Sequence, residues 1–347
     1  MKIMVFDTKP YDRQYLEAQN AHYGYKLKFV EHKLTADTAR LAQGYDIVCA
    51  FVNDDVGAET IDALVDVGVK AIAMRCAGYN NVDVRHAFGR IHIVRVPKYS
   101  PYAVAEHAMA LLLALNRRTH RAWLRTRDGN FALNGLLGFD LHGKTAGIIG
   151  TGLIGRCFIN ICRGFGMHII AYDPYPAKDA DFEYVSLDEL LERSDVISLH
   201  CPLTPETHYL LNEKTLAKTR PGVTIVNTSR GALIHTADLI EALKSGHVRG
   251  AALDVYEEES ELFFEDCSNQ VIQDDMLMRL LAFNNVIVTS HQAFFTHEAL
   301  AKIAEVTFEN FKMIENLPKG GLLPNEICYR CEHYGKDCAK KQGQNCF

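Results

Sequence analysis

The sequence lacks any apolar run long enough to cross a bilayer. Its longest, Ala108–Leu115, falls far short of the ~20 residues that a spanning helix needs. It also lacks the basic leader, apolar stretch and cleavage site of a secretory signal, the first residues reading MKIMVFDTK. A soluble, cytoplasmic protein with no membrane partner is therefore expected. Positive charge is not in surplus: 37 Lys and Arg face 43 Asp and Glu, for a formal net charge of −6. That balance argues against general nucleic-acid binding, which needs a basic face to displace phosphate counterions. No fixed-period repeat and no low-complexity segment occurs before the C-terminal tail. What the chain does have is globular composition, 48% hydrophobic and 23% charged. Its 347 residues suit two domains of roughly 100–200 residues each.

Short apolar runs alternate with helical patterns along both halves. Candidate strands in the first hundred residues are Lys2–Phe6, Lys26–Val30, Asp46–Val52, Val69–Arg75 and His92–Val96. Ala58–Val67 has helical period, with Ile61, Leu64 and Val65 on one face. After a long helical stretch, Pro101 to Arg118, a second series follows: Thr145–Ile149, His168–Asp173, Asp195–His200, Val223–Thr228, Gly250–Val255 and Val286–Ser290. Runs this rich in Val and Ile suit strands buried on both faces, so the class is α/β with two doubly wound parallel sheets. The last helical pattern, Glu298 to Leu317, has no strand after it and is expected to pack back on an earlier element.

Gly150-Thr151-Gly152-Leu153-Ile154-Gly155 follows the first strand of the second series and opens a helix. Gly150 permits a tight turn, Gly152 lets the backbone approach a pyrophosphate, and Gly155 allows close helix–strand packing. The helix N-terminus offers N–H groups and partial positive charge to the phosphates. Asp173 ends the next strand at the ~20-residue distance expected of the carboxylate that accepts from the ribose hydroxyls. A carboxylate there repels a 2′-phosphate, which points to NAD as cofactor rather than NADP.

Three polar residues follow the ends of later strands in this series. Arg230 comes after Val226-Asn227-Thr228-Ser229, Glu259 after Leu253-Asp254-Val255-Tyr256, and His291 after Val288-Thr289-Ser290. Ligands of open α/β sheets bind outside the carboxyl ends of the strands, so all three can reach one crevice. Reduction of a 2-keto acid calls for these residue types. Hydride reaches the carbonyl carbon, charge develops on its oxygen, and a protonated histidine quenches that charge. A carboxylate on the other ring nitrogen fixes the tautomer and stabilises the imidazolium. Arginine holds the substrate carboxylate and polarises the carbonyl. Taken singly each has a plainer explanation: the chain has 15 histidines, and Glu259 sits in the acidic run Glu257-Glu258-Glu259.

Several ordered stretches together resemble the D-2-hydroxyacid dehydrogenase family from Met1 to about Asn325. They are Arg75-Cys76-Ala77-Gly78-Tyr79-Asn80-Asn81-Val82-Asp83, Tyr99-Ser100-Pro101 through Glu106-His107, Gly150–Gly155, Asn227-Thr228-Ser229-Arg230-Gly231, Leu253-Asp254-Val255-Tyr256 and His291-Gln292-Ala293-Phe294. The resemblance implies a flavodoxin-like substrate domain and a Rossmann NAD domain, with a cleft between them that closes on substrate. The implied divisions are residues 1–100 and 294–326 for the substrate domain, 101–293 for the NAD domain and 327–347 for a tail. The resemblance also implies that Arg230 binds substrate, that His291 is the acid/base and that Glu259 is its partner. Ala77, Gly78 and Tyr79 would hold the substrate carboxylate, with Tyr99 and Phe294 in the same pocket. The cofactor would meet Gly150, Gly152, Leu153, Ile154, Gly155, Asp173, Cys201, Pro202, Thr207, Thr228, Ser229 and Asp254. Arg75–Asn81, Asn116-Arg117-Arg118 and Leu262–Asp266 are most similar to the branch that reduces pyruvate to D-lactate. A homodimer or higher homo-oligomer is implied too, with the Pro101–Arg118 helix near the interface.

Two other readings stand beside this one: a relative acting on a bulkier 2-keto acid, and an NADH-sensing binding protein. The set Arg230, Glu259 and His291 weighs against the sensor, which needs no proton donor. His235, where relatives often carry an acid, is expected to alter a helix start and not the chemistry. The tail holds Cys328, Cys331, Cys338 and Cys346, with His333 nearby. Its CxxC opening has the bite of a zinc site, but the later spacings are not a standard pattern. Metal binding, a redox-sensitive tail and a solvated extension all stay open, and no metal site is assigned.

Overall fold

A computed structural model of the chain describes residues 1–259, 262–317 and 323–329. The chain divides into two compact units, one formed by Met1–Ser100 with the described residues from Thr296 onward, the other by Pro101–Phe295. Phe294 and Phe295 thus belong to the second unit, where the sequence had suggested the return to the first from residue 294.

The first unit opens with β1 (Lys2–Val5), α1 (Pro10–Asn20), β2 (Lys26–Phe29), β3 (Ile47–Ala50), α2 (Ala58–Asp66), β4 (Ala71–Met74), α3 (Val84–Ala87) and β5 (His92–Val94). All strand pairs are parallel, in the order β2-β1-β3-β4-β5. Every residue of β3 and β4 is buried, as the unbroken apolar runs require of strands covered on both faces.

The second unit begins with α4 (Pro101–Arg117) and α5 (Thr119–Arg127) and continues through β6 (Thr145–Ile149), α6 (Leu153–Gly164), β7 (His168–Tyr172), β8 (Glu183–Tyr184), α7 (Leu187–Arg193) and β9 (Val196–Leu199). It is completed by α8 (Glu213–Lys218), β10 (Val223–Asn227), α9 (Thr236–Lys244), β11 (Val248–Leu253), α10 (Asp275–Ala282) and β12 (Val286–Val288). The seven strands run parallel in the order β12-β11-β10-β9-β6-β7-β8. Connectivity therefore reverses direction between β9 and β6, and this switch point is where a doubly wound sheet opens a ligand crevice. One core cluster includes Leu199, Ile225 and Leu253; the other sets α4 and α6 residues such as Leu112, Phe158 and Cys162 beside Ile148 and Val226. On α6 the buried positions Gly155, Phe158, Ile159 and Cys162 follow the helical spacing that keeps one face apolar. Burying a side chain the size of Phe158 contributes about 1.5–3 kcal/mol.

The expected return of the last helix is present within the first unit. α11 (His297–Glu315) packs against α1 and β4. Its Ala304, Phe308 and Phe311 join Ile3, Val5 and Ile47 in one core. The chain then adds Glu326 as an antiparallel bridge to Val94.

Candidate active site

The glycine loop stands where strand β6 ends against the switch point. Gly150 has φ +94°, a region that L side chains avoid. A Cβ there would lie 2.7 Å from the Cys201 nitrogen and from the His200 carbonyl. A Cβ on Gly155 would lie 2.1 Å from the Gly150 carbonyl oxygen, so the helix can approach the strand only without a side chain. Gly152, by contrast, has nothing within 4 Å of its virtual Cβ, and Leu153 beside it is exposed. The open side of the loop is therefore bare backbone at the N-terminus of a 12-residue helix, the arrangement that accepts phosphate.

Asp173 folds back onto this loop. Its carboxylate accepts from the Thr151 N–H at 2.8 Å, the Thr151 hydroxyl at 2.9 Å and the Tyr175 N–H at 2.9 Å. Partial burial works to raise its pKa, but these bonds outweigh it and hold the group below the usual carboxylate range. A carboxylate has about four lone-pair sites, so acceptor capacity remains for a ribose.

Cys201, Pro202, Thr207 and Ser229 gather beside Gly150. The Ser229 hydroxyl donates to the Cys201 carbonyl at 3.1 Å, and the Thr207 hydroxyl to the Pro202 carbonyl at 2.7 Å. The buried Thr228 hydroxyl has no hydrogen-bond partner among the described residues. A buried hydroxyl without a partner costs free energy until something meets it. A tight glycine cradle and an unmet hydroxyl at the same strand ends fit a dinucleotide.

Arg230 follows β10 in extended conformation, φ −140°. The Asn227 amide donates to its carbonyl at 2.8 Å, and its own guanidinium donates to the Ser229 carbonyl at 2.6 Å. Gly231 is pressed against the chain leaving β11: a Cβ there would sit 2.0 Å from the Tyr256 carbonyl group. No larger residue fits, so the turn carrying Arg230 is locked to the segment that leads to Glu259.

Glu259 and His291 meet directly. Glu259 Oε1 lies 2.7 Å from His291 Nδ1, while Oε2 accepts from the Tyr256 N–H at 2.9 Å. Both side chains are mostly buried yet retain some exposure, 16% for His291 and 19% for Glu259. With Nδ1 committed to the carboxylate, Nε2 is the nitrogen available to a substrate. His291 has φ +53°, a left-handed conformation uncommon outside glycine, although histidine, like asparagine and aspartate, adopts it more often than other side chains.

Asp254 holds that strained turn. It is 0% exposed, and its carboxylate accepts from the Gln292 N–H at 2.9 Å, the Ala293 N–H at 2.8 Å and the Thr289 hydroxyl. Its own carbonyl accepts from the His291 N–H at 2.7 Å. His107 Nε2, from α4, lies 3.3 Å from the same carboxylate. Burial raises the Asp254 pKa, and the bonds from His107, Thr289 and Ala293 more than reverse this, leaving it below its ordinary value. The linkage sign follows: this stabilisation is present above the unfolded-state pKa of ~3.9 and is lost as pH falls through the folded value.

The sequence had marked Asp254 only as a cofactor contact; its bracing of the His291 turn, and the parts played by His107 and Thr289, emerge from the folded geometry. Phe264 was also missed as a wall of the site. Its ring lies 5.8 Å from the His291 ring and 6.5 Å from that of Phe294. The signal was the Phe263-Phe264 pair, an apolar step inside an acidic, irregular stretch. His235 precedes α9 and places Nδ1 2.8 Å from Asp238, a local contact at the helix start.

The second unit thus collects Arg230, Glu259, His291, Phe294 and the cofactor candidates. Ala77, Gly78, Tyr79 and Tyr99 belong to the first unit, the first three on the loop after β4 and Tyr99 just before α4. No group of three or more His, Cys, Asp or Glu able to hold a metal occurs among the described residues. Cys328 is a half-buried free thiol; Cys331, His333, Cys338 and Cys346 lie outside the described residues. No described helix is long and apolar enough to cross a membrane.

Comparison with known proteins gives these observations a family context. Residues 109–293 match the sequence model of the D-isomer specific 2-hydroxyacid dehydrogenase family, NAD binding domain. The chain is similar to the D-lactate dehydrogenase of Escherichia coli (strain K12), at 52% identity over 94% of this chain and 100% of that protein. The apo structure of the Escherichia coli enzyme superposes with a TM-score of 0.85, at 49% identity over 94% of this chain and 100% of that one. The pyruvate reductase of Chlamydomonas reinhardtii superposes with a TM-score of 0.86, at 41% identity over 92% of this chain and 98% of that one.

Proposed function

Because the chain belongs to the D-isomer specific 2-hydroxyacid dehydrogenase family, and is an NAD-dependent enzyme of the D-lactate dehydrogenase type, we propose that it reduces pyruvate to D-lactate. The observation that carries the catalytic part of this reading is the Glu259–His291 pair at 2.7 Å, displayed on a turn that Asp254 braces. NADH, when bound, supplies hydride to the carbonyl carbon. His291 Nε2 delivers a proton to the carbonyl oxygen as charge grows there, a task worth ~10²–10⁴ in rate. Glu259 holds the imidazole in the tautomer that leaves Nε2 facing the substrate and stabilises it when charged. Arg230 binds the substrate carboxylate through its planar fork and polarises the carbonyl. The N–H groups of the loop Ala77–Tyr79 assist on the carboxylate. Tyr99, Phe264 and Phe294 limit the space left for the substrate side chain.

For the cofactor, we assign the pyrophosphate to the Gly150–Gly155 turn with Leu153 and Ile154, and the ribose hydroxyls to Asp173. Cys201, Pro202, Thr207, Thr228 and Ser229 line the remainder, and Asp254, which is 0% exposed, acts through the His291 turn that it braces. Asp173→Ala is expected to raise kcat/KM with NADPH relative to NADH by at least about tenfold, since juxtaposed like charges cost several kcal/mol. Unchanged selectivity in a paired NADH and NADPH assay would remove Asp173 from the ribose site.

The decisive assay is NADH oxidation by the purified protein with pyruvate, followed by chiral analysis of the product. Rapid formation of D-lactate supports the whole proposal. Faster turnover of phenylpyruvate than of pyruvate would move the substrate to the bulkier 2-keto acids, and silence across a 2-keto acid panel would favour an NADH-sensing role.

We also propose a homo-oligomer, with its apolar contact on the segment that directly follows the Pro101–Arg118 helix. The apolar face of α4 is spent inside its own unit, where Ala105, Ala108 and Leu112 are fully buried. Beyond it, Trp123 and Leu124 of α5 and then Phe131, Leu133 and Leu137 are all more than half exposed. Large apolar side chains left exposed within one short segment point to an association surface, and a second copy of the chain is the partner proposed. Sedimentation equilibrium is expected to give a dimer or larger; a monomer at micromolar concentration would overturn this.

A further inference from the structure

The loop after β4 presents its backbone in a particular direction, and one side chain outside the loop fixes that direction. The carbonyls of four successive residues are engaged from within the first unit. The Cys76 carbonyl accepts from the Val96 N–H at 3.1 Å and the Tyr79 carbonyl from the Val82 N–H at 3.1 Å. The Gly78 carbonyl accepts from the Cys76 thiol at 3.2 Å. The Ala77 carbonyl accepts from Arg95 Nη1 at 2.8 Å. In a trans peptide the C=O of one residue and the N–H of the next point in opposite directions across one rigid plane. Holding the Ala77 carbonyl therefore turns the Gly78 N–H outward, and holding the Cys76 carbonyl does the same for the Ala77 N–H. Neither of these N–H groups has a hydrogen-bond partner among the described residues.

Arg95 is the only charged donor in that set, and it makes a second contact with the loop. Its guanidinium lies over the Tyr79 ring, 4.8 Å from the centroid, at a distance where cation–π attraction operates. One planar group thus grips the Ala77–Gly78 peptide and the side chain of the next residue. Charge on the carbonyl side also polarises the peptide and strengthens its N–H as a donor. Arg95 is itself pinned by α11 and by the segment that follows it. Its N–H donates to the Asn325 carbonyl at 3.0 Å, and its carbonyl accepts from the Asn310 amide at 2.9 Å. The Asn325 amide then donates to Asn310 Oδ1 at 2.8 Å. Asn310 is 1% exposed, so this relay is fixed in the core.

We infer that Arg95 is a positioning residue for substrate binding: it orients the Ala77–Gly78 peptide so that the Gly78 N–H meets the carboxylate of the 2-keto acid. The inference rests on the proposal that this loop binds that carboxylate. A bond to the non-reacting carboxylate is made alike in the ground and transition states, so its loss raises KM and leaves kcat nearly unchanged.

The test uses the full-length holoenzyme. Arg95→Met is expected to raise KM for pyruvate about tenfold, the size of one charge-assisted hydrogen bond. kcat should stay within about threefold, and the Kd for NADH, followed by its fluorescence, should not move. Arg95→Lys keeps the charge but offers no planar fork; it should recover part of the KM, and it carries the test if the methionine variant does not fold. An unchanged KM in a folded variant overturns the inference, as does a loss confined to kcat or to NADH affinity. Hydrogen–deuterium exchange of the segment 75–82 separates this failure from failure of the loop reading. With NADH and the unreactive isostere oxamate, the wild-type segment should gain protection that Arg95→Met loses at the same oxamate concentration. No protection in the wild type removes the loop from the substrate site and the inference with it. Equal protection in wild type and variant removes Arg95 alone.

Discussion

Replacing His291 with alanine is expected to lower kcat for 2-keto acid reduction by ~10²–10⁴-fold while NADH binds with unchanged affinity. The loss follows from the geometry at the two ring nitrogens. Nδ1 is held by Glu259 at 2.7 Å, so Nε2 is the one proton donor this residue can offer to a carbonyl oxygen. Without it, charge developing on that oxygen has no positioned proton donor and must be met by water. The backbone demands a control, because φ +53° at this position costs an ordinary L-residue about 1–2 kcal/mol. Asparagine tolerates that region and cannot serve as an imidazole. His291→Asn should therefore keep more stability than His291→Ala and lose as much activity. Steady-state kinetics with fluorescence titration of NADH checks both. Turnover near the wild-type rate in either variant would take His291 out of the mechanism.

Removing the charge of Arg230 should cost almost as much. Arg230→Met is expected to reduce kcat/KM for pyruvate by ~10²–10⁴-fold, because breaking a desolvated ion pair costs about 3–5 kcal/mol. Arg230→Lys should recover only part of this, since an ammonium cannot make the two parallel bonds of a guanidinium to a carboxylate. The local backbone should survive both changes. The turn keeps the Asn227 amide on the Arg230 carbonyl and the fit of Gly231 against Tyr256, and loses only the guanidinium bond to the Ser229 carbonyl. Kinetics on variants with wild-type melting temperatures distinguishes the outcomes. A kcat/KM within tenfold of wild type for Arg230→Met would assign the carboxylate to other residues.

Much of this protein is legible without coordinates. The buried strands β3 and β4 of the first sheet and the longer ones of the second stand out as apolar runs rich in Val, Ile and Ala, whereas the edge strand β2 (Lys26–Phe29) has no buried residue. The period of Gly155, Phe158, Ile159 and Cys162 announces α6 before any contact is known. The short edge strand β8 escaped notice because Glu183–Tyr184 is too brief to show a period, and it forms only where β7 offers a free edge. Two glycines of the turn at 150–155 are readable because each answers a local demand: a positive φ at Gly150 and, at Gly155, a backbone approach that a Cβ would block.

What the sequence by itself determined, then, is whatever depends on local spacing: the α/β class, the place of the dinucleotide turn, and the residue types able to reduce a keto acid. What only the tertiary structure decided depends on pairs far apart in the chain. Nothing near Asp254 signals that its carboxylate holds the N–H groups of Gln292 and Ala293 and lies beside His107. Nothing near Arg95 signals that it grips Ala77 while Asn310 and Asn325 hold it in turn. The reason is physical. A period of 2 or 3.6 residues is imposed by the geometry of one strand or helix and is written along it. A buried polar group must instead find its partner wherever the folded chain brings one within about 3 Å, and that choice is made by the packing of elements, not by the spacing of letters.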